Sequence, residues 1–303
     1  MFGGTRVSRD FLALLQQARS DGRPLIWDGA VGTQLIARGL VGRVSEEWNL
    51  SRPDAIRAIH ADYFAAGAIA GQTNTFGGNR LKLKTAGLED KLLMINVQAV
   101  EAARAACPAE GFVAGNIGPT GQLIAPAGAL APEEAQEVFE EQARVLVSAE
   151  VDLFSLETFF DLEEAKAAVA GVRQASDLPV IASMTFRRTR RGYFTINGVT
   201  PEAAAAGLIE AGADVVGANC TIGPADMKDL ARAFRQATDA PLIFQPNAGN
   251  PRLVEGKEVY EQGAEEFARE AVALKEAGAN ILGACCGSTP EFIRRLAEKV
   301  ERR

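Results

Sequence analysis

The chain has 303 residues, 47% of them hydrophobic and 23% charged, which is enough for one domain to bury a core of its own. Its 32 basic and 39 acidic residues give a net charge of -7, so no basic surface is available and no nucleic-acid partner is expected. No run approaches the roughly 18 apolar residues of a membrane span. The N-terminal segment has its apolar residues at helical spacing among charges, unlike a signal peptide. A cytoplasmic protein without a membrane partner is the expectation.

Eight short segments rich in apolar or β-branched residues recur along the chain, each followed by an amphipathic or alanine-rich stretch. They span residues 24–30, 68–76, 112–119, 151–158, 179–186, 213–220, 241–249 and 280–287. Three of them are preceded by a helix that ends in Ala-Gly-Ala, with its first alanine at Ala66, Ala211 or Ala277. Glycine at this point indicates the end of a helix, and the apolar run after it indicates a strand.

The stretches between these segments repeat apolar residues every three or four positions and mostly open on Pro or Asp, as amphipathic helices do. Examples are residues 53–67, 132–149, 161–176, 225–238 and 264–278. Alternating strands and helices predict a parallel sheet covered by helices. Eight such units predict an α/β fold of the (β/α)8 TIM-barrel type, as a single domain over residues 1–303. A doubly wound open sheet is the alternative.

Each predicted strand ends in polar or metal-binding residues. In chain order these ends are Asp28-Gly29, Thr73-Asn74, Asn116, Glu157-Thr158, Thr185, Asn219-Cys220, Asn247 and Cys285-Cys286. The carboxyl ends of barrel strands form one rim, and the active sites of such barrels lie there. Because all eight strands deliver such groups, the sequence predicts a functional site at this rim.

Three of the four cysteines, Cys220, Cys285 and Cys286, lie at the ends of the sixth and eighth predicted strands. A buried inert thiol is the ordinary interpretation of a single cysteine, and a vicinal disulfide is another interpretation of the adjacent pair. Glycines around the pair, and a third cysteine at another strand end, favour a metal site instead. The chain has one histidine, so a soft metal site would consist of thiolates.

Three thiolates suit Zn²⁺, which prefers tetrahedral sulfur and nitrogen ligands, and they leave the fourth position open. Their combined charge exceeds that of the metal, so the centre is a poor Lewis acid for hydrolysis but can bind a substrate thiol as its thiolate. A structural zinc site is the alternative, although such sites are normally closed by four protein ligands. The pattern therefore favours thiolate activation, for which no general base is required.

Several motifs resemble those of one known family. Residues 28–35 (DGAVGTQL) resemble an opening D-G-x-x-G-T-x-L motif, 217–220 (GANC) a G-x-N-C element, and 283–290 (GACCGSTP) a closing G-G-C-C-G-T-T-P element. These motifs are typical of the homocysteine S-methyltransferase family, and the similarity covers essentially the whole chain. Further segments are similar to the branch formed by the homocysteine-binding modules of cobalamin-dependent methionine synthases, namely residues 72–77, 118–121, 157–159, 184–186 and 245–249.

The resemblance implies a metal centre. It identifies Cys220, Cys285 and Cys286 as the zinc ligands and Asn247 as a weak fourth ligand that homocysteine displaces. No protein residue is expected to be catalytic beyond the zinc-activated thiolate of the substrate.

The resemblance also implies an amino-acid pocket. Asp28 and Glu157 would hold the homocysteine ammonium, a role that carboxylates at two strand ends can fill on charge alone. Gly29 and Thr185 would line the pocket. A turn-forming Asp-Gly and a solvated loop carboxylate are the alternative interpretations of the two acids.

Two positions depart from the family pattern. Ala284 stands where a second glycine is usual, a small change that should be tolerated beside a strand. Thr158 stands where betaine-using relatives have a tyrosine, which points away from betaine as the methyl donor. The stretch 73–76 likewise points away from S-methylmethionine.

The activity implied by the resemblance is methyl transfer to the zinc-bound thiolate of L-homocysteine, giving methionine. Methylcobalamin is the expected donor, bound by another, corrinoid-binding module or protein. The chain would then be the homocysteine module of a cobalamin-dependent methionine synthase. The alternative is a free-standing homocysteine S-methyltransferase that uses a small methyl donor or a separate corrinoid protein. A different thiol substrate is a further alternative.

Three other features receive no catalytic role. Cys107, before Pro108, is expected to be an ordinary packed thiol, and His60 a helix-surface or interhelix residue. The arginine-rich run 187–191 is interpreted as a solvated loop, with a docking surface for an anionic methyl-donor module as the alternative.

Overall fold

The computed structural model describes residues 10–254 and 257–301. The first nine residues of the N-terminal segment and residues 302–303 lie outside these ranges, so the domain limits of 1–303 stay a prediction. No helix in the described ranges is long and apolar enough to cross a membrane.

Eight parallel strands form one closed sheet. The described part of the chain has twelve strands, of which four (β6, β7, β10 and β11) lie outside this sheet. In chain order they are β1 (Leu25–Ile26), β2 (Ala70–Gln72), β3 (Phe112–Ile117), β4 (Leu153–Phe159), β5 (Val180–Met184), β6 (Arg187–Thr189), β7 (Gly192–Phe194), β8 (Val215–Asn219), β9 (Leu242–Gln245), β10 (Arg252–Val254), β11 (Lys257–Val259) and β12 (Ile281–Leu282). The parallel sheet has the order β1-β12-β9-β8-β5-β4-β3-β2. It closes because the Ile69 amide beside β2 donates to the Ile26 carbonyl of β1 at 2.8 Å. The predicted barrel is confirmed, and the doubly wound alternative is excluded.

The helices cover the outside of this barrel. They are α1 (Phe11–Ser20), α2 (Val31–Ala37), α3 (Trp48–Ser51), α4 (Pro53–Ala65), α5 (Arg80–Lys84), α6 (Leu92–Ala106), α7 (Pro132–Ser148), α8 (Leu162–Ala175), α9 (Pro201–Glu210), α10 (Pro224–Ala237), α11 (Ala264–Ala271), α12 (Ala273–Glu276) and α13 (Pro290–Glu301). Proline opens α4, α7, α9 and α10, where the missing N–H costs no hydrogen bond. The stretch 264–278, predicted as one helix, is divided at Val272 into α11 and α12.

The inside of the barrel changes from apolar to polar along the strands. Strand side chains alternate between the two faces, so every second residue points inward. Near the amino ends the inward residues form an apolar cluster that includes Leu153, Ile181, Val215, Ile243 and Ile281. Four residues further along the same five strand segments stand Glu157, Thr185, Asn219, Asn247 and Cys285. The polar groups therefore gather at the carboxyl-end rim, as the sequence predicted.

Helix α1 closes the opposite end of the barrel. Phe11, which is 1% exposed, lies edge-on to Trp27 and Phe112, with ring centroids 5.9 and 5.4 Å apart. Such edge-to-face contacts add to the stabilisation from burying the rings. The amino-end opening is therefore packed with aromatic side chains, and the rim at the other end remains for chemistry.

Two antiparallel hairpins interrupt the rim loops. One pairs β6 with β7 after the fifth barrel strand, and the other pairs β10 with β11 after β9. The prediction that residues 187–191 form a loop is wrong, because Arg187 to Thr189 form a strand that pairs with Gly192 to Phe194. The run is solvent-exposed as predicted, and Arg188 pairs with Asp226 at 2.7 Å.

His60 is not a surface residue. It is fully buried, and neither ring nitrogen has a hydrogen-bond partner within the described structure. A Cβ on Gly71 would come within 3.0 Å of the Phe64 ring and 3.4 Å of His60 Nδ1, so the glycine of β2 lets α4 pack closely against the strand. Burial lowers the pKa of His60 to about 4, which keeps the ring neutral. It lies between α4 and β2, away from the rim.

Candidate metal centre

Three cysteine sulfur atoms meet at the rim. The Sγ atoms of Cys220, Cys285 and Cys286 all lie within 4.8 Å of one another, and those of Cys220 and Cys286 are 3.7 Å apart. Zinc–sulfur bonds of about 2.3 Å in a tetrahedron place neighbouring sulfurs about 3.8 Å apart. The spacing and the soft donor set therefore fit a tetrahedral metal ion with one further position.

Backbone hydrogen bonds fix this arrangement. The Cys220 amide donates to Gln245 O at 3.0 Å, and the Cys285 amide donates to Pro246 O at 2.8 Å. Cys220 has φ of 63° and the next residue, Thr221, has φ of 66°. Left-handed backbone at a non-glycine residue costs on the order of 1 to 3 kcal/mol and persists only where the surroundings enforce it. The turn after β8 is therefore a strained turn that aims the Cys220 sulfur at the pair from β12.

The three thiols are electrostatically unequal in the metal-free protein. The pKa of Cys286 is lowered well below its ordinary value, because Cys220 and Cys285 donate hydrogen bonds to its sulfur and Tyr260 adds another. The pKa of Cys285 is raised by its hydrogen bonds with Cys220 and Cys286 and by burial. Because the thiolate is the form of cysteine that binds a metal ion, a lowered pKa in one of the three thiols favours cation binding. Tyr260 lies in no metal-site motif, so its contact with Cys286 was not predicted from the sequence.

Asn219 links the cysteines to the acidic side of the rim. Its side chain is fully buried at the end of β8. The Oδ1 atom accepts from Thr158 N and from Ser183 Oγ, each at 2.8 Å. The Nδ2 atom donates to Thr158 Oγ1 at 2.7 Å and lies 3.8 Å from the Cys285 sulfur. The sequence placed Asn219 at the rim but gave it no role, because its partners come from three other strands.

Asp28 is a fully buried carboxylate at the end of β1. Its Oδ2 accepts from the Gln72 amide at 2.7 Å, whereas its Oδ1 has no hydrogen-bond partner among the described residues. Burial raises its pKa well above the usual range, and the nearby Glu157 adds to the effect. A buried carboxylate with a free oxygen is suited to receive a cation.

Glu157 is the second buried acid, at the end of β4. Its Oε1 accepts from Asn116 Nδ2 at 2.7 Å. Burial raises the pKa of Glu157 to about 7, and the Cys286 thiolate contributes in the same direction. No lysine or arginine of the described chain forms an ion pair with either acid. The two acids thus form an acidic pocket without a protein counter-ion among the described residues.

The remaining predicted residues lie around these groups. The hydroxyl of Thr185 is in hydrogen-bond contact with that of Thr221, next to Cys220. A Cβ on Gly29 would come within 2.7 Å of Ser288 Oγ and 2.9 Å of the Tyr63 ring, so only glycine fits there. The Asn247 side chain is buried, and its Oδ1 has no partner within the described structure.

An open cavity of about 360 Å³ lies beside Thr185. Its lining consists of Leu123, Phe160, Thr185, Arg187, Ile196, Asn197 and Thr221. Thr221 follows Cys220 in the chain and Thr185 contacts Thr221, while Leu123 and Ile196 are exposed. The cavity therefore adjoins the turn that carries Cys220.

Residues 25–300 match the family described as homocysteine S-methyltransferase. The chain belongs to this family. As a member of the homocysteine S-methyltransferase family it is an enzyme, and the resemblance found in its motifs is confirmed. The match takes in all eight barrel strands and every site residue described above.

Known relatives agree with this assignment. Methionine synthase of Mycobacterium tuberculosis (strain ATCC 25618 / H37Rv) is 34% identical over 312 residues, which cover 96% of this chain and 25% of that protein. The chain thus spans about a quarter of its relative's length. Among solved structures, the oxidized form of the homocysteine methyltransferase MmuM from Escherichia coli has a TM-score of 0.78 at 24% identity, covering 94% of this chain and 99% of that one. Its metallated form has a TM-score of 0.77 at 23% identity, with the same coverage. These two structures share the barrel fold.

Proposed function

We propose that this homocysteine S-methyltransferase holds a zinc ion on Cys220, Cys285 and Cys286 and transfers a methyl group to the sulfur of L-homocysteine, giving methionine. The observation that carries the proposal is the cluster of three sulfurs within 4.8 Å of one another, beside two buried carboxylates on the same rim. A zinc ion held by these three cysteines would lower the pKa of a bound substrate thiol, so that its sulfur would be a thiolate at neutral pH.

Asn247 is the residue we assign to the fourth position before substrate arrives. Its buried Oδ1 has no partner among the described residues. The amide of the next residue, Ala248, donates to Cys286 O at 2.9 Å, which keeps this segment against the cysteines. An amide oxygen is a weaker zinc ligand than a thiolate, so a substrate thiol can replace it.

Asp28 and Glu157 hold the ammonium of homocysteine in this proposal. Both are buried, and neither has a cationic partner within the described chain, so the substrate supplies the missing charge. An ammonium beside Glu157 favours its ionised form and opposes the effect of burial. Gly29 forms the narrow wall of the amino-acid pocket against Tyr63 and Ser288, and Thr185 forms the wall towards the cavity.

The methyl donor enters through the cavity beside Thr185 and Thr221. The substrate sulfur forms a bond to the methyl carbon, and the donor leaves with the electron pair of the broken bond. This displacement needs no general base, since the sulfur is already deprotonated. It needs an in-line approach, which a solvent-facing cavity next to the cysteines permits.

Methylcobalamin carried by another module or protein is the donor we propose, with the chain acting as the homocysteine module of a cobalamin-dependent methionine synthase. The 34% identical Mycobacterium tuberculosis relative is a methionine synthase, and this chain corresponds to about a quarter of its length. Exposed Leu123 and Ile196, with Arg187 beside them, offer such a module an apolar surface with a positive edge.

The proposal is tested by titrating the zinc-loaded protein with L-homocysteine while proton release and the zinc K-edge spectrum are followed together. We expect one proton released per site and a zinc shell of four sulfurs. An unchanged zinc shell would mean that the metal is structural or that the substrate is another thiol.

The donor is tested separately, by offering methylcobalamin or S-methylmethionine to the homocysteine-loaded enzyme. Methionine formed from methylcobalamin alone supports the proposed donor. Turnover with S-methylmethionine alone would instead identify a free-standing enzyme that uses a small donor.

A further inference from the structure

Buried acceptor atoms without donors occur on the acidic side of the rim. Within the described chain, Asp28 Oδ1 and Asn116 Oδ1 are both shielded from solvent and both lack a hydrogen-bond partner. They belong to the ends of β1 and β3, on either side of β2. An unsatisfied buried acceptor costs about 1 to 3 kcal/mol. A fold that retains two of them at one site keeps them for donors that another molecule supplies.

The orientation of the Asn116 amide is fixed by its neighbours. Its Nδ2 donates to Glu157 Oε1 at 2.7 Å, and turning the amide over would place two oxygens together. Its backbone is held as well, because its N–H donates to Thr73 Oγ1 at 3.0 Å and its carbonyl accepts from Thr75 Oγ1 at 2.7 Å. Asn116 is 6% exposed. The Oδ1 atom therefore stays an acceptor beside Glu157.

Gln72, the other amide at this site, has no such free oxygen. Its Oε1 accepts from Ser155 Oγ at 2.6 Å, and its backbone N–H donates to Asp28 Oδ2 at 2.7 Å. Asn116 alone of the two offers an oxygen to a ligand.

We propose that Asn116 Oδ1 is the third acceptor for the substrate ammonium, together with Asp28 and Glu157. This inference rests on the proposed function and deepens it. A primary ammonium has three N–H groups, and three acceptors from the ends of β1, β3 and β4 match that number. The site then selects thiols that carry a free primary α-ammonium, and it disfavours desamino and N-alkylated analogues, which leave Asn116 unpaired.

The test compares the binding of L-homocysteine and 4-mercaptobutanoate, the same thiol without the ammonium, to the zinc-loaded protein by isothermal titration calorimetry. In Asn116→Ala we expect the affinity for homocysteine to fall about 10- to 100-fold, because a hydrogen bond to a charged group is lost. The affinity for 4-mercaptobutanoate should stay unchanged. Asn96→Ala is the matched control, since Asn96 is also buried but donates to Gly78 O and Leu92 O, away from the acids.

A second comparison separates direct contact from an effect through Glu157. If Asn116 contacts the ammonium, Asn116→Ala weakens homocysteine binding in the Glu157→Gln background too. No further loss in that background, or an equal loss for both thiols, would overturn the assignment.

N-methyl-L-homocysteine tests the same idea without relying on a variant. The wild type should bind it about tenfold less tightly than homocysteine, because one N–H is missing and a methyl group meets Asn116. Equal affinities would overturn the assignment of Asn116. A wild type that does not distinguish homocysteine from 4-mercaptobutanoate would instead refute the proposed ammonium site as a whole.

Discussion

At the scale of single residues, the site depends on groups whose ordinary chemistry burial has changed. Asp28 and Glu157 are carboxylates enclosed by the barrel, and desolvation raises the pKa of both. Cys286 is a thiol whose pKa is lowered because two other thiols donate to it. Buried acids without a cation, next to clustered thiols, mark a site that binds ligands, because a purely structural core would pair or exclude them.

Each of the three clustered cysteines is expected to be indispensable. Cys220→Ala, Cys285→Ala and Cys286→Ala should each reduce bound zinc and abolish methyl transfer, because the proposed zinc site needs all three thiolates. Zinc content by atomic emission and methionine formation check this. Cys107→Ala is the control, since Cys107 lies at the end of α6 and should leave both readouts unchanged. Full turnover in any of the three variants would contradict the assignment.

The raised pKa of Glu157 predicts a pH-dependent stability. The folded protein holds this proton up to about pH 7, whereas the unfolded chain releases it near the ordinary glutamate pKa of 4.5. Between these values the folded state binds more protons, so the free energy of unfolding falls as pH rises, by about 3 kcal/mol in total.

Glu157→Gln removes this titration. In the metal-free protein, the difference in unfolding free energy between wild type and Glu157→Gln should change in favour of the variant as pH rises from 4.5 to 7. Urea denaturation at several pH values measures it. Parallel pH profiles for the two proteins would mean that Glu157 titrates normally. Homocysteine binding should weaken in the same variant, because the ammonium loses a charged partner.

At the scale of elements, strand pairing determines which groups meet. The ends of β4, β5, β8 and β12 are joined through Asn219, which contacts Thr158, Ser183 and the Cys285 sulfur. Thr158 has φ of 64°, so the hydrogen bonds from Asn219 hold a strained turn directly after Glu157. One buried amide thus supports both the metal ligands and the acid.

Asn219→Ala should therefore impair stability and metal binding together. We expect a loss of about 2 kcal/mol in unfolding free energy from the hydrogen bonds that are broken, and a zinc affinity about 10- to 100-fold lower. Asn49→Ala is the matched control, because Asn49 is also fully buried and donates to Asn74 O and Ile95 O, with no contact to a cysteine. It should lose stability but keep its zinc affinity, as measured by competition with a chelator. Equal zinc affinities in both variants would show that Asn219 is only structural.

The element scale also shows where sequence patterns were sufficient. Helices with clear apolar periodicity and an initial proline, such as α4, α7 and α10, lie where they were predicted. The β6–β7 hairpin was missed because arginine-rich segments carry no strand pattern, and its pairing depends on backbone bonds rather than on buried side chains. The environment of His60 was missed because its burial depends on the packing of α4 against β2, which lies on another element.

At the scale of the whole molecule, stability and chemistry occupy opposite ends of the barrel. Aromatic packing around Phe11 closes the amino end, while the buried acids and the left-handed turns at Thr158 and Cys220 lie at the carboxyl end. This separation lets the fold accommodate the cost of buried acids and left-handed turns at the rim.

Phe11→Ala should lower the free energy of unfolding by about 3 to 5 kcal/mol, because it leaves a cavity against Trp27 and Phe112. Zinc and homocysteine affinities should remain those of the wild type in the folded protein. Leu12→Ala on the same helix is the control, since Leu12 is 37% exposed and its truncation should cost little. Guanidinium denaturation and calorimetric titration make the comparison. A large change in ligand affinity in Phe11→Ala would show that the two ends are coupled.

The sequence by itself determined the barrel, the rim and the three cysteines, because these follow from local periodicity and from rare residue types at strand ends. It also indicated the family, whose motifs are local runs of residues. Only the tertiary structure decided which rim groups touch: that Asn219 reaches Cys285, that Asn116 supports Glu157, and that Asp28 is buried with a free oxygen. These contacts join residues distant along the chain, and their chemistry arises from exclusion of water, which no local pattern encodes.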